Sequence, residues 1–422
     1  MQKPKKRIAI LLVSMATAGA ERVTANLLQH LHTEFDFHLV LLNPHIQHLD
    51  LPESVPIFAL DHEKLGHTTR LEKLNNLLKM PLLAYRYRQY CQQNGIELSY
   101  SMLSRPNFIN VLARLMGFHG NVIIGQRSAA SSLYSTSAWD DRLGRQLIKW
   151  LYPHADAVVS NAQAIGVDLA KNFGLTKPLF TVYNPIDVPH IEYLKTELIS
   201  VLAHPVNAYF KLNTEGKYFE KFTFVSVGRQ HPVKNYALIL RAFAQLNDLT
   251  TQLIIVGDAA QTTDDLPHLA KALSITDRVF FAGFQANPYK FMAKSHCFVL
   301  ASRYEGFPNV LLEAMACGVP IVSSDCLSGP RELLAPTTDF TKTLPQNADN
   351  ERAEFGILTP VGNVERLAEA MRTMQNDADL RQYYVEKSRE RLTEFQLEGV
   401  LTAFRKLFSA KGEHIEPFTD IN

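Results

Sequence analysis

Short apolar runs alternate with helically periodic stretches along most of the chain. In the first half the runs predict buried strands at Arg7–Val13, Phe37–Leu42, Ile96–Tyr100, Asn121–Gly125, Ala157–Ser160 and Phe180–Val182. Between them, apolar positions recur at helical spacing over Glu21–His32, Leu71–Gln93, Asn107–Met116, Arg142–Tyr152 and Ala162–Phe173. The strand runs are apolar at successive positions, the pattern of a strand buried on both faces. Regular alternation of such strands with helices predicts an α/β fold, a parallel sheet covered on both sides.

The rhythm stops after Asn184-Pro185-Ile186-Asp187, and residues 188–220 are polar and poorly periodic. A second series then predicts strands at Phe222–Val227, Gln252–Val256, Val279–Ala282, Cys297–Leu300 and Pro320–Ser323, with helices at Tyr236–Leu246 and Leu311–Cys317. Residues 336–354 read as a polar insertion, and Leu380–Lys411 as long helices with no strand. The expected organisation is a Rossmann-like domain over 1–190, a connection with an insert over 191–220, a second Rossmann-like domain over 221–385 and a helical tail over 386–422. The tail is expected to pack back on the first domain. Ligands of open parallel sheets bind beyond the carboxyl ends of the strands. Chemistry is therefore expected on the loops that follow strands, in a cleft between two facing domains.

With 422 residues, 46% of them hydrophobic, the chain is long enough for two cores. The net charge of +1 provides no global field to recruit nucleic acid, and no such partner is expected. Charge is unevenly spread, +5 over 1–190 and −4 over 191–422. That is either ordinary scatter or a preference of the first half for an anionic membrane or acceptor. Cys91, Cys297, Cys317 and Cys326 form no CxxC pair and have no metal-ligand spacing, which fits a reducing cytoplasm. The start, KPKKR before an apolar run, has the outline of a signal peptide. The run is short, however, and Gly19-Ala20-Glu21-Arg22 leads into an amphipathic helix, so a first buried strand is the expected reading. No stretch approaches the roughly 20 apolar residues of a membrane span.

The densest chemical signal is Glu305-Gly306-Phe307-Pro308-Asn309-Val310-Leu311-Leu312-Glu313. A strand feeds a Gly/Pro/Asn loop, and a helix is expected to start near Asn309. The N–H groups of Asn309, Val310 and Leu311, with the positive helix end, would make a site for a diphosphate. Glu313, one turn further on, is positioned to accept hydrogen bonds from a ribose diol, and Glu305 on the loop to touch a sugar ring. A second segment runs Val225-Ser226-Val227-Gly228-Arg229, then His231-Pro232-Val233-Lys234-Asn235. Gly228 lets a ligand approach the backbone. Arg229 and Lys234 match the charge of a diphosphate, and they would stabilise a departing nucleoside diphosphate in place of a divalent metal.

These segments resemble the retaining GT-B glycosyltransferases of family 4, a likeness that extends over most of the chain. Val225–Asn235 resembles the family's "vGRl…KN" stretch and Glu305–Glu313 its E-x7-E motif. Ser160–Gly174 with Val182–Asp187, and Gly356–Asn363, resemble further family segments. The resemblance implies that Arg229 and Lys234 bind the donor diphosphate, Glu305 the donor hexose and Glu313 the ribose. Ala18-Gly19-Ala20-Glu21-Arg22 is similar to the family's "GGaEr" loop, with one glycine of two replaced. It implies donor contact near Gly19 and an acceptor side near Glu21. Ser328-Gly329-Pro330-Arg331-Glu332-Leu333 is similar to a segment of members that act on lipid-linked saccharides and lipopolysaccharide.

One departure stands out. Many relatives place a histidine at the strand end where this chain has Gln126 and Arg127. Arg127 would either bind an acceptor phosphate or hold its loop. A nicotinamide enzyme is disfavoured, since no GxGxxG is present and the second strand runs into Asn43-Pro44 without an acid. The expected activity is transfer of a hexose or N-acetylhexosamine from a nucleotide-diphosphate sugar, UDP foremost, to a hydroxyl of a cell-envelope saccharide or lipid-linked acceptor. Retention, no metal and no cofactor are expected. The alternatives are a silent sugar-nucleotide-binding partner and a nucleotide-sugar epimerase. In Leu71–Gln93, Leu77, Leu78, Leu82, Leu83, Tyr85, Tyr87 and Tyr90 are mixed with Lys79, Arg86 and Arg88. That stretch is either a core helix with a solvated face or a face for peripheral contact with an anionic membrane at its cytoplasmic side.

Overall fold

The computed structural model of the chain describes residues 4–15, 19–46, 51–61, 70–199, 219–259 and 265–410. They form two compact units, one running to Pro185 and resuming at Leu397, the other spanning Ile186–Gln396.

The first unit is built on seven strands: β1 (Arg7–Leu12), β2 (Asp36–Leu41), β3 (Ile57–Ala59), β4 (Leu98–Met102), β5 (Asn121–Gln126), β6 (Ala157–Ser160) and β7 (Leu179–Thr181). All pair in parallel, in the order β3-β2-β1-β4-β5-β6-β7. The winding direction reverses between β1 and β4, which opens a crevice at their carboxyl ends. Every residue of β1 after Arg7 is buried, as its unbroken apolar run requires. On one face Ile10, Leu28 and Leu39 pack with Phe404 and Phe408 of the Leu397–Ser409 helix. On the other, Leu83, Tyr87, Ile109 and Ile124 form a second core. The closing helix thus packs on the first unit, as expected of the tail. Strand β3 was not foreseen; it is short, and Ile57 and Phe58 are exposed.

The stretch expected as one helix over Leu71–Gln93 is two, Arg70–Leu78 and Met80–Gln93. Pro81 is the cause. It has no N–H to donate to the carbonyl of Leu77, and its ring crowds the preceding turn.

The second unit holds β8 (Phe222–Val227), β9 (Thr251–Val256), β10 (Val279–Gly283), β11 (Cys297–Leu300), β12 (Ile321–Ser324), β13 (Glu351–Arg352) and β14 (Ile357–Thr359). Their order is β10-β9-β8-β11-β12-β14-β13, parallel except for β13. The Rossmann-like pattern therefore repeats. The expected boundary at 190 falls inside the helix Val188–Leu194, and that at 385 inside Ala378–Leu392. Both helices pack against the Asn309–Ala316 helix of the second unit. The expected insert over 191–220 lies largely outside the described residues. The stretch over 336–354, expected as an insertion, supplies β13, pinned by Arg331, whose Nη2 lies 2.6 Å from Asp325 and 2.8 Å from Glu351.

Candidate active site

In the second unit the two sequence-predicted segments meet. β8 runs into Gly228, whose φ of +150° suits glycine. The Tyr236 hydroxyl donates to its carbonyl at 2.8 Å. Arg229 is exposed on the next loop. A 3-10 turn over Pro232–Lys234 and a left-handed Asn235 (φ +54°) then bring Lys234 to the start of the Tyr236–Leu246 helix. The backbone N–H of Arg303 donates to the Val233 carbonyl at 2.8 Å, tying the loop after β11 to this turn. Lys234 Nζ consequently lies 2.6 Å from Glu305 Oε1. The two side chains are 25% and 11% exposed, so the pair is largely but not wholly withdrawn from solvent.

Gly306, Phe307 and Pro308 are buried, and the eight-residue helix Asn309–Ala316 begins directly after them. No side chain caps that helix. Leu311 does not offer an open N–H, contrary to expectation: it donates to the Pro308 carbonyl at 2.9 Å, closing the first turn. Asn309 and Val310, the other two residues expected at that edge, are both half-buried. Phe307, counted with the donor-binding segment, packs its ring 5.6 Å from Phe395 and so serves the core. Glu313 sits one turn into the helix and is only 7% exposed. An acid that deeply placed near a helix start is held for a partner rather than for solvation.

Gly329 explains how the loop is held. Its φ is +89°, and a Cβ there would lie 2.4 Å from Pro308 Cδ and 3.0 Å from the Gly306 carbonyl. Only glycine allows the turn after β12 to press on the Glu305–Pro308 loop. The glycine is visible in the sequence, but the contact it permits is not. Glu332, in the helix that follows, is 4% exposed, and its carbonyl accepts from Arg391 Nη2 at 2.6 Å.

The candidates of the first unit lie at the carboxyl ends of its strands. Gly19 opens the Gly19–Leu31 helix, and Glu21 is buried in its first turn. Arg127 follows β5 and is 8% exposed, donating through Nη2 to Asn184 Oδ1. Burial pulls its guanidinium below the ordinary arginine value, while Tyr100 and Glu21 act in the opposite direction. Glu21 and Arg127 thus act on one another electrostatically, although 106 positions apart in the chain. Arg127 holds the segment through Asn184, which favours the loop-holding role over the phosphate-binding one. Gln126 is equally enclosed: it accepts from the Tyr152 hydroxyl at 2.7 Å and donates to the Ser128 carbonyl at 2.7 Å.

Known proteins share both halves of this arrangement. The model of the family described as Glycosyltransferase Family 4 matches residues 17–189, and that of Glycosyl transferases group 1 matches residues 210–391. A Campylobacter jejuni protein named N-acetylgalactosamine-N,N'-diacetylbacillosaminyl-diphospho-undecaprenol 4-alpha-N-acetylgalactosaminyltransferase is 33% identical over 392 residues, covering 92% of this chain and 96% of its own. The lipopolysaccharide core biosynthesis glycosyltransferase LpsE of Rhizobium meliloti is 29% identical over 44% of this chain and 49% of its own. Among solved structures, Anabaena HepE in complex with UDP and glucose superposes with a TM-score of 0.71 at 19% identity, covering 96% of this chain and 99% of its own. With two Rossmann-like units, the joint Arg229, Lys234, Glu305 and Glu313 pattern, and relatives that match it nearly end to end, the chain belongs to family 4 of the glycosyltransferases and is a glycosyltransferase of the GT-B fold.

Proposed function

We propose that this enzyme moves a hexose or N-acetylhexosamine from a UDP-sugar to a hydroxyl of a lipid-linked or lipopolysaccharide saccharide, with retention at the anomeric carbon and without a metal ion. The Lys234–Glu305 pair beside the Asn309 helix start carries the reading. A cation after β8 meets an acid suited to sugar hydroxyls and a helix start after β11, with Glu313 set back by one turn for the ribose. Arg229 and Lys234 would take the charge that develops on the leaving diphosphate, the electrostatic term that is usually largest in such reactions. Glu305 would orient the hexose. In the first unit, Gly19 would serve donor contact, and Glu21 and Arg127 the acceptor side. The name of the Campylobacter relative supports a diphosphate-linked polyprenyl acceptor, and the UDP and glucose of the HepE complex support the donor class. Release of UDP from UDP-glucose, UDP-galactose, UDP-N-acetylglucosamine and UDP-N-acetylgalactosamine, with and without a bacterial membrane lipid extract, tests the proposal. Absence of lipid-stimulated release with all four would refute it.

A lipid-linked acceptor calls for work at the cytoplasmic face of a membrane, and the first unit supports this through a face different from the one read in the sequence. Tyr87 is buried in the core and Tyr90 stacks on Phe58 at 4.5 Å. Lys79 pairs with Asp61 at 3.1 Å, and Arg88 is half-buried. What remains exposed is Leu74, Leu78, Leu82 and Tyr85, with Arg86 beside them. The occupant we assign is an anionic bilayer, reached by apolar insertion with Arg86 at the headgroups. No helix among the described residues is long and apolar enough to cross a membrane. Flotation with phosphatidylglycerol vesicles should fall for Leu78→Glu/Leu82→Glu and, at low salt, for Arg86→Glu; equal flotation of all variants would remove the claim.

A further inference from the structure

The Lys234–Glu305 pair presents a difficulty that the surrounding serines resolve. If Lys234 turns to the donor diphosphate, Glu305 loses the cation that holds it at the moment it must hold a sugar. Two further contacts do not depend on Lys234. The Ser302 hydroxyl donates to Glu305 Oε1 at 2.5 Å, and the Ser328 hydroxyl donates to the Glu305 backbone carbonyl at 2.6 Å. Ser302 is itself fixed, fully buried, with its carbonyl accepting from the Ser324 hydroxyl at 2.7 Å. Ser328 takes a left-handed conformation (φ +61°) to reach the loop, an unfavourable backbone for a residue with a Cβ. Such strain persists only where surrounding contacts over-determine it.

Both side-chain bonds to Glu305 fall on Oε1. Among the described residues Oε2 receives no hydrogen bond, so one carboxylate oxygen is anchored and the other is left for a ligand. We infer that Ser302 and Ser328 are positioning residues that keep Glu305 aimed at the donor sugar while Lys234 exchanges Glu305 for the diphosphate. The inference rests on the donor assignment above and adds what determines recognition of the sugar as distinct from the nucleotide. Ser302 acts on the carboxylate and Ser328 on the main chain beneath it, so each is expected to alter sugar recognition through Glu305 alone.

The test measures calorimetric affinities of the full-length protein for UDP and for the four UDP-sugars named above. Ser302→Ala removes the side-chain anchor. Ser328→Gly removes the main-chain anchor while relieving the left-handed backbone, and provides a second route should Ser302→Ala fold poorly. Each variant is expected to keep its UDP affinity within about twofold of wild type. The affinity ratio of the preferred UDP-sugar to UDP should shrink at least fivefold. In a Glu305→Gln background the Ser302→Ala effect should vanish, because a residue acting through another has nothing left to act on. UDP and UDP-sugar affinities falling together would reveal a merely structural role and overturn the inference. A Ser302→Ala effect of undiminished size in the Glu305→Gln background would do the same. A wild-type protein that binds no UDP would instead defeat the donor assignment itself.

Discussion

Replacing Lys234 with methionine separates two roles of one contact. At 2.6 Å and an effective dielectric of roughly 20, the pair with Glu305 has a gross attraction of about 6 kcal/mol. Desolvation of both ions and the one-quarter exposure of Lys234 offset most of this, leaving about 1–2 kcal/mol of net stabilisation. For a unit the size of Ile186–Gln396, that corresponds to a fall of roughly 2–8 °C in its unfolding midpoint. Turnover should fall further, because the diphosphate loses a charge-assisted contact worth about 2–4 kcal/mol in the transition state, or roughly 30- to 1,000-fold in rate. The double variant Lys234→Met/Glu305→Gln removes the orphaned carboxylate charge. It should recover at least half of the lost midpoint and none of the lost rate. Thermal melts followed by circular dichroism, alongside UDP release, read both quantities. A Lys234→Met protein with an unchanged midpoint and near-normal UDP release would refute the pairing and its role together.

Other outcomes follow from the same geometry. Glu313→Gln should weaken binding of free UDP about tenfold, whereas Glu305→Gln should spare it and slow transfer; equal losses of UDP affinity would mean the ribose and hexose roles are misplaced. Excess EDTA should leave UDP release essentially unchanged, since Arg229, Lys234 and the helix start supply the positive charge; strict dependence on added Mg²⁺ or Mn²⁺ would contradict this. Phe404→Ala, which empties a site only 1% exposed, should destabilise the first unit by about 3–5 kcal/mol and leave UDP affinity of the second unit intact, as melts and calorimetry would report. His296, stacked on Phe222 and held by burial at a pKa of about 4, is neutral in the folded unit. Its unfolded form takes up a proton below about pH 6.5, so its contribution is complete above that pH and is lost as pH falls toward 4, by at most about 3 kcal/mol. His296→Asn should flatten the stability profile in that window, and an unchanged slope would show that another group governs it.

The sequence carries the sheets almost completely because strands buried on both faces leave unbroken apolar runs, and β6, β8 and β11 fall on the expected residues. The strands it misses, β3, β13 and β14, are two or three residues long; β3 and β13 are not buried on both faces, and β14, though buried, is too short for an apolar run to mark it. Pro81 signals a helix break, yet apolar periodicity resumes beyond it and reads as one helix. The glutamates and basic residues of the site are legible by chemical type and spacing. Their pairing is not, because Lys234 and Glu305 meet across 71 positions only after two strands have closed into one sheet. Ser302 leaves no sequence signal, and Ser328 is legible only as part of the Ser328–Leu333 segment, since a serine anchored to a loop is written the same way as a solvated one. The stretch with Tyr87 and Tyr90 reads equally as a core helix or as a membrane-facing one, because helical periodicity gives the spacing of a face and not its direction; the burial of Tyr87 decides for the core at that position.

The return of the chain at Leu397 sets an order of events during synthesis. The residues of Ile186–Gln396 are contiguous and have a complete sheet once the ribosome has delivered them. The first unit emerges earlier yet lacks Phe404, Leu407 and Phe408 from its core until the Leu397–Ser409 helix has been translated. Lys6 reaches its acceptor on Phe408 across 402 positions at 2.8 Å. Until then the Ile10–Leu28–Leu39 face is open and apolar, a surface prone to aggregation in a nascent chain. Of the two units, the one born first is therefore completed second, and a chain truncated before Leu397 would leave the second unit contiguous and the first without the helix that closes its core.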